Sequence, residues 1–388
     1  MSDRILVLNC GSSSIKFALF DAATLPRVPA WRGAVVNIGS ADAAFEESGA
    51  AAQPLGAGSG DPYRAALAHI RERVRARLGG DRLAAVAHRV VHGGAKYFNP
   101  VRVDADVLAD LRSYIPLAPL HQPFALEAIA ELLATQPGLP QVACFDTGFH
   151  RDMPAVEQML PLPRALREHG LRRYGFHGLS YEYLALVLGE RHGDRARGRT
   201  ICAHLGSGAS LCAMQNLASV ATTMGFSALD GVMMNTRCGA LDPGVVIHLM
   251  QIRKLSLDEV GHMLYHDAGL LGVSAISSDL RVLLAREDET PAAEALALYV
   301  HRIVRETGAL AAALGGLDML VFSAGIGEHS VPIRERVCAG LRFLGVELDA
   351  AANAANAAVI SGVSSKVLVA VEPTNEEWIA ARAAAKLI

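Results

Sequence analysis

Neither sign of charge prevails in this 388-residue sequence: 36 Lys+Arg stand against 39 Asp+Glu, a formal net charge of −3. Nucleic-acid binding needs a clustered basic face, and no basic stripe runs along the chain. Charged residues are scarce at 19% while hydrophobic ones reach 51%, which excludes a disordered or coiled-coil protein. Despite a mean hydropathy of +0.27, no apolar run of spanning length is present. A membrane helix needs ~20 predominantly apolar residues. The longest uncharged stretch, 201–229, is broken by Gly206-Ser207-Gly208, Gln215-Asn216 and Thr222-Thr223. Met1-Ser2-Asp3-Arg4 leads straight into a strand pattern, without the apolar region and cleavage site of a signal peptide. The six cysteines, at 10, 144, 202, 212, 238 and 338, form no C-x-x-C pair and no zinc spacing. Four of them sit in apolar surroundings, as small core residues do. These absences predict a cytoplasmic protein with no nucleic-acid and no membrane partner.

At ~150 residues per domain, the length predicts two or three domains, each with a full core. Two stretches alternate alike. Arg4-Ile5-Leu6-Val7-Leu8-Asn9 precedes Gly11-Ser12-Ser13-Ser14 and then Ile15-Lys16-Phe17-Ala18-Leu19-Phe20. About half a chain later, Thr200-Ile201-Cys202-Ala203-His204-Leu205 precedes Gly206-Ser207-Gly208-Ala209-Ser210 and then Leu211-Cys212-Ala213-Met214. Each reads as strand, Gly/Ser turn, strand, which suggests duplicated domains. Other strands end at His92-Gly93-Gly94, Asp146-Thr147-Gly148 and Ala324-Gly325-Ile326-Gly327-Glu328. Helical periodicity marks 62–78, 123–135, 180–188, 291–314 and 376–387. Helices alternating with strands that end in polar loops predict an α/β protein whose ligands sit beyond the strand carboxyl ends. The stretch 41–61, rich in Ala, Gly and Ser, is expected to be an exposed segment, and the Ala/Asn-rich 350–358 a helix.

The chemistry-bearing residues cluster at those strand ends. Gly11-Ser12-Ser13-Ser14-x-Lys16 is not a Walker loop. It reads either as a flexible Ser-rich turn or as a phosphate holder using N–H groups, hydroxyls and the Lys16 charge. Gly206-Ser207-Gly208-Ala209-Ser210 matches neither G-x-G-x-x-G nor the G-x-S-x-G of serine hydrolases. His88-Arg89-Val90-Val91-His92 has a zincin's His spacing but no Glu and no helix, so zinc is not expected. Arg89 and Asp146 each place a charge at the end of an apolar strand, and Arg237 after Val232-Met233-Met234-Asn235-Thr236 is expected to repeat the pattern. Taken singly, each reads as half of a buried ion pair. Two arginines, an acid, a Lys and several Gly-rich turns at strand ends together suit phosphoryl transfer, where positioning and charge neutralisation supply the catalysis.

Ten motifs in order then resemble the acetate kinase family, within the superfamily of sugar kinases, actin and heat-shock chaperone ATPases. They begin at Leu6-Val7-Leu8-Asn9-Cys10-Gly11-Ser12-Ser13-Ser14-Ile15-Lys16 and His88-Arg89-Val90-Val91-His92-Gly93-Gly94. Leu117-Ala118-Pro119-Leu120-His121, Phe145-Asp146-Thr147-Gly148-Phe149-His150 and Arg173-Tyr174-Gly175-Phe176-His177-Gly178 follow. Then come His204-Leu205-Gly206-Ser207-Gly208, Thr236-Arg237-Cys238-Gly239, Ser278-Asp279-Leu280-Arg281, Gly325-Ile326-Gly327-Glu328-His329 and Pro373-Thr374-Asn375-Glu376-Glu377.

The resemblance implies two duplicated ribonuclease-H-like (actin-like ATPase) domains with an interdomain cleft. The N-terminal one would take 1–147 plus 376–388, and the nucleotide-binding C-terminal one 148–375. It implies Mg²⁺, or Mn²⁺, on Asn9 and Glu376, with Lys16 near the nucleotide phosphates. Arg89 would bind the substrate carboxylate, and Val91, Leu120, Phe176 and Ala228 would wall the acyl pocket. Arg237 and His177 would stabilise the transferring phosphoryl group. His204, Leu205, Gly206, Ser207 and Gly208 would cradle ATP together with Asp279, Leu280, Arg281, Gly325, Ile326, Gly327, Glu328 and His329. Asp146 is the family's catalytic acid/base. A carboxylic acid with a pKa of ~4–5 is already ionised at neutral pH, so Asp146 is expected to orient the substrate or the magnesium shell.

Four positions depart from the family pattern. Ser207 replaces an Asn, Asn235 a Gly, Ala240 an Asp (Asp242-Pro243 remains), and Ala228 a Pro of the acyl pocket. The first three bear on nucleotide affinity and rate, the last on acyl length. The expected reaction is ATP + acetate ⇌ ADP + acetyl phosphate by a homodimer. The alternatives are a propionate or other short-chain acyl kinase and a non-catalytic actin-like switch, which would have no use for Arg89 with Arg237. An oxidoreductase would need a dinucleotide fingerprint that is missing.

Overall fold

The computed structural model describes residues 1–56, 61–119 and 121–388. The predicted Leu120 thus lies outside the described residues. The chain divides into two compact units, Met1–Gly148 with Asn375–Ile388, and Phe149–Thr374.

The first unit carries β1 (Asp3–Cys10), β2 (Ile15–Asp21), β3 (Trp31–Val36), β4 (Ala44–Glu47), β5 (Gln53–Pro54), β6 (Arg82–Val90), β7 (Val101–Arg102) and β8 (Gln141–Phe145). Their order is β5-β4-β3-β2-β1-β6-β8-β7. β1, β2 and β3 form an antiparallel meander, whereas β6 pairs in parallel with both β1 and β8. Period-2 alternation divides β1 between two faces. Leu6 and Leu8 join a core with Leu67, Ile70 and Val74 of helix Pro62–Leu78 and Ala125 and Ile129 of helix Gln122–Thr135. Helix Glu376–Leu387 packs on β1, β6 and β8.

Capping chemistry sets the ends of these helices. The Asp61 carboxylate accepts from the N–H groups of Tyr63 and Arg64, Pro62 fills the first turn, and Gly79 stops the helix at φ +54. Asn375 accepts from Trp378 N–H at 3.1 Å and donates to Arg27 O at 2.7 Å, which fixes where Glu376 starts its helix. Of the segment 41–61, expected to be exposed, most described residues are exposed, while Ala44–Glu47 and Gln53–Pro54 form β4 and β5 and residues 57–60 lie outside the described residues. Phe45, fully buried and stacked on Phe17, draws β4 onto the sheet.

The second unit holds β9 (Thr200–Leu205), β10 (Ala209–Gln215), β11 (Ala218–Thr222), β12 (Met319–Ser323) and β13 (Leu368–Val371), ordered β11-β10-β9-β12-β13. β9, β10 and β11 form an antiparallel meander, and β12 pairs in parallel with β9 and β13. This repeats β3-β2-β1-β6-β8 in order and in every strand direction, so the duplication expected from the two Gly/Ser hairpins is present. Tyr181, Leu184 and Leu188 of helix Gly178–His192 join the core of this sheet, and helix Thr290–Leu314 also packs on it. Two local expectations fail. Residues after β12 form a helix, Ala324–His329, rather than a loop, and 350–358 is helical only over Ala350–Ala354.

Candidate active site

In the first unit, parallel strands β1, β6 and β8 end side by side, and each delivers a polar residue there: Asn9, Arg89 and, just past β8, Asp146. Arg89 is the hub. Its Nε donates to Asp146 Oδ1 at 2.9 Å and its Nη2 to Asp146 Oδ2 at 2.6 Å. Its Nη1 lies 3.4 Å from Asn9 Oδ1 and 3.5 Å from Glu376 Oε2. Burial works against the Arg89 charge, but Asp146 and Glu376 outweigh it and hold the guanidinium protonated above its ordinary range. Two carboxylates share this one arginine. Burial, with Asp146 and Glu377 nearby, pushes the Glu376 carboxyl up to about 7 against the pull of Arg89 and Lys16. Lys16 stands opposite Asn9 in the β1–β2 register.

The backbone around Arg89 is pinned from beneath. Gln122, fully buried, accepts from His92 N–H at 3.1 Å and donates to His92 O at 2.9 Å. Val91, half-buried, follows β6 directly. His88 pairs with Gln141 at 2.8 Å, and burial pulls its pKa down to about 4, so the ring is neutral. Among the described residues no group of His, Cys, Asp and Glu is arranged as a three-ligand metal cluster.

The second unit holds the predicted residues His177, His204 and Arg237. His177 caps helix Gly178–His192 at φ +57, a left-handed conformation that costs a non-glycine residue about 1 kcal/mol or more. Its ring stacks on that of His204 at 4.2 Å, and its Nδ1 lies 2.8 Å from Ser210 Oγ. A Cβ added to Gly208 would sit 3.4 Å from His177 Nε2 and 3.6 Å from Arg237 Nη1, so both groups converge on this glycine. Arg237 does not follow a strand as expected. Val232, Met233 and Met234 are buried in irregular backbone, and Arg237 Nη1 donates to Ala228 O at 3.3 Å. Phe176 is buried, and its carbonyl accepts from His150 Nε2 at 2.9 Å.

A groove of about 460 Å³ opens beside these residues within the second unit. Gly206 and Ser207, then Asp279, Leu280 and Arg281, then Gly325, Ile326 and His329 line it. Three segments far apart in sequence thus meet at one cavity. The remaining predicted nucleotide residues lie elsewhere. Leu205 is fully buried in the sheet, and the His204 ring turns toward His177. Gly327 packs against β12, and Glu328 accepts from Thr374 N–H at 3.2 Å. Asn235 lines the groove with a buried Oδ1 that has no hydrogen-bond partner. Sequence reasoning missed Ser180, Tyr181, Ser210 and Thr374. Thr374 donates to Ser180 Oγ at 2.8 Å, and Ser180 holds His204 Nδ1 at 2.8 Å. Their signal was adjacency to His177, to the Gly206–Gly208 turn and, for Thr374, to Glu376 in the Pro373–Glu377 motif.

Residues 4–382 match the acetokinase family. The chain is 49% identical over 389 residues to an acetate kinase of Rhodopseudomonas palustris, covering 98% of each chain. It is 46% identical over 390 residues to an acetate kinase of Rhizobium meliloti, covering 100% of this chain and 98% of the other. Among solved structures, it superposes on a propionate kinase from Francisella tularensis with a TM-score of 0.90 at 33% identity, covering 99% of both. It superposes on the Porphyromonas gingivalis acetate kinase with a TM-score of 0.84 at 35% identity, covering 98% of both. With the family matched over nearly its whole length and its two-sheet core repeated in these relatives, the chain belongs to the acetokinase family and is a phosphotransferase of the kinase class.

Proposed function

We propose that the chain transfers the γ-phosphoryl group of ATP to acetate, reversibly, forming acetyl phosphate and ADP. The observation that carries this reading is the convergence of His177 Nε2 and Arg237 Nη1 on Gly208, beside a groove large enough for a nucleotide. Donors fixed in this way stabilise charge on a phosphoryl group without reorganising. With Asp146 taking its Nε–Nη2 edge, Arg89 would meet the acetate carboxylate through its outer Nη1–Nη2 edge. The acceptor is already ionised, so no base is required, and Asp146 acts as a positioning residue. By the family resemblance Val91, Phe176 and Ala228, together with Leu120 outside the described residues, would border the methyl group.

The donor set suits a magnesium ion. Asn9 and Glu376 offer hard oxygens, and two carboxylates beside one arginine leave negative charge that a cation would balance. When bound, Mg²⁺ (or Mn²⁺) would neutralise charge on the phosphate oxygens. Asn9 and Glu376 would hold it, with Lys16 on the same side.

Helix Pro243–Gln251 exposes Val245, Ile247 and Met250, followed by exposed Ile252 and Leu257. Exposed apolar side chains on a helix that buries none of its residues within this chain fit a second copy of the chain, and a homodimer is the proposed assembly. No helix among the described residues is long and apolar enough to cross a membrane, and a cytoplasmic location is proposed. The structural match to a propionate kinase gives weaker support to a second reading, a short-chain acyl kinase. Coupled ATP consumption with acetate, propionate and butyrate, with hydroxylamine trapping of the acyl phosphate, separates these readings. Absence of any trapped acyl phosphate would remove the proposal.

A further inference from the structure

Behind His177 lies a pair of hydroxyls that the proposed chemistry does not use. Ser210 Oγ contacts His177 Nδ1 at 2.8 Å, and the Tyr181 hydroxyl sits 2.6 Å from that same Oγ. Tyr181 is also 2.8 Å from the Ser210 main-chain carbonyl. Both side chains are fully buried, and burial holds the phenol well above its ordinary range, so Tyr181 keeps its proton. A buried hydroxyl must place its hydrogen on an acceptor, and Tyr181 has two within reach.

We propose that Ser210 and Tyr181 form a reversible hydroxyl relay that keeps a proton on Nε2 of His177 in both protonation states of the ring. The inference rests on the phosphoryl-contacting role given to His177 above. In the neutral ring, Tyr181 donates to Ser210 Oγ, Ser210 donates to Nδ1, and the single ring proton stays on Nε2. In the charged ring, the added proton is on Nδ1 and is donated to Ser210 Oγ. The Ser210 hydrogen then turns to Tyr181, and the Tyr181 hydrogen turns to the Ser210 carbonyl. The Nδ1–Ser210 and Ser210–Tyr181 hydrogen bonds are kept in both states with their directions reversed, and the charged state adds the bond from Tyr181 to the Ser210 carbonyl. A phosphoryl oxygen only accepts, so a bare Nε2 lone pair facing Gly208 would repel it, whereas Nε2–H attracts it.

The groups facing His177 do not duplicate this function. His204, stacked on the ring, has its Nδ1 held by Ser180, and Arg237 across Gly208 only adds positive charge. His150, 5.6 Å from the Tyr181 ring, is kept neutral because burial pulls its pKa down to about 4. Ser210 and Tyr181 are therefore positioning residues for His177.

The test is nitrogen NMR of histidine-labelled full-length protein, with the His177 signal assigned by its loss in His177→Asn. The expected result is Nε2 protonated above and below the titration midpoint, with Nδ1 bare in the neutral ring. A neutral ring protonated on Nδ1 overturns the relay. Tyr181→Phe leaves the Ser210 hydrogen without an acceptor in the charged state, so the His177 midpoint should fall by about one pH unit, a tenfold change. An unchanged midpoint also overturns it. Ser210→Ala should lower kcat about tenfold or more with little change in the acetate KM, and Ser210→Thr should restore it. If the NMR signature holds but Ser210→Ala turns over normally, the relay stands and the phosphoryl-contacting role of His177 falls. Tyr181→Phe, which removes one oxygen, keeps the test open should Ser210→Ala fold poorly.

Discussion

Arg89 and Asp146 meet in a two-point pair, Nε to Oδ1 at 2.9 Å and Nη2 to Oδ2 at 2.6 Å, with each residue at the end of a parallel strand. An arginine held by a carboxylate along its Nε–Nη2 edge keeps its outer Nη1–Nη2 edge for a second anion, and here Nη1 also faces Asn9 and Glu376. Arg89→Ala is therefore expected to reduce kcat by about 10²–10³, while circular dichroism stays that of wild type. Near-normal turnover would remove Arg89 from the carboxylate site.

Asp146→Asn keeps the shape of the pair but loses its charge. Activity should fall, and the Mg²⁺ concentration needed for half-maximal rate should change, because Glu376 shares Arg89 with Asp146. The kcat profile of wild type should have no limb between pH 6 and 8 set by Asp146; a limb there belongs to Glu376, held up to about 7, and should move to lower pH in the variant rather than vanish. A limb that vanishes in the variant, with unchanged metal dependence, would identify Asp146 as an acid/base group.

Gly208→Ala adds a methyl at ordinary contact distance from His177 Nε2 and Arg237 Nη1, so the fold should tolerate it. The methyl would occupy the space in which a phosphoryl oxygen meets those donors. Turnover should drop at least tenfold at unchanged thermal stability. Wild-type kinetics would place the reacting phosphoryl elsewhere.

Ala228 bears on acyl length. Ala228→Pro retains the carbonyl that accepts from Arg237 and restores bulk to the wall. One methylene in an apolar pocket shifts discrimination by ~1–3 kcal/mol, so the propionate-to-acetate ratio of kcat/KM should fall several-fold in the variant. Equal ratios in the two proteins would show that this wall does not select the acyl chain.

His88 and His150 are neutral in the fold, each brought down to about 4 by burial. In the unfolded chain a histidine titrates near ~6.5. Both states are neutral above that pH. Between it and about 4 the unfolded chain binds protons that the fold refuses, so stability is full above ~6.5 and is lost on acidification at up to ~1.4 kcal/mol per pH unit for each ring. Urea midpoints at pH 7.5, 6 and 5 should fall less steeply in His150→Gln than in wild type. Parallel lines would mean that His150 takes up its proton in the folded state.

Much of this was legible in the chain. The Gly11 and Gly206 turns signalled the duplicated hairpins, and strand-end charges located Arg89 and Asp146, because an apolar strand gives a lone charge nowhere else to go. Arg237 misled: Val232, Met233 and Met234 are buried as a strand would be, yet no neighbouring strand pairs with them, and apolar runs do not report hydrogen-bonding partners. Phe45 was hidden within a polar, Gly-rich stretch whose composition outweighed one aromatic. Ser210 read as part of the Gly206–Ser210 turn and Tyr181 as a position of the helix over 180–188. Their meaning lies in a meeting of side chains 29 residues apart, which no local pattern encodes.

Helix Glu376–Leu387 packs on β1, β6 and β8, so the first unit is assembled from segments that lie before and after the second unit in sequence. During synthesis that layer stays open until residues 376–387 have left the ribosome, although the second unit already has all its strands. A ribosome that stalls after β13 would therefore release a chain with the nucleotide groove but without Glu376 or the helix that covers β1, β6 and β8. Such a product would be inert in phosphoryl transfer, would expose apolar sheet, and would be a ready target for quality-control proteases.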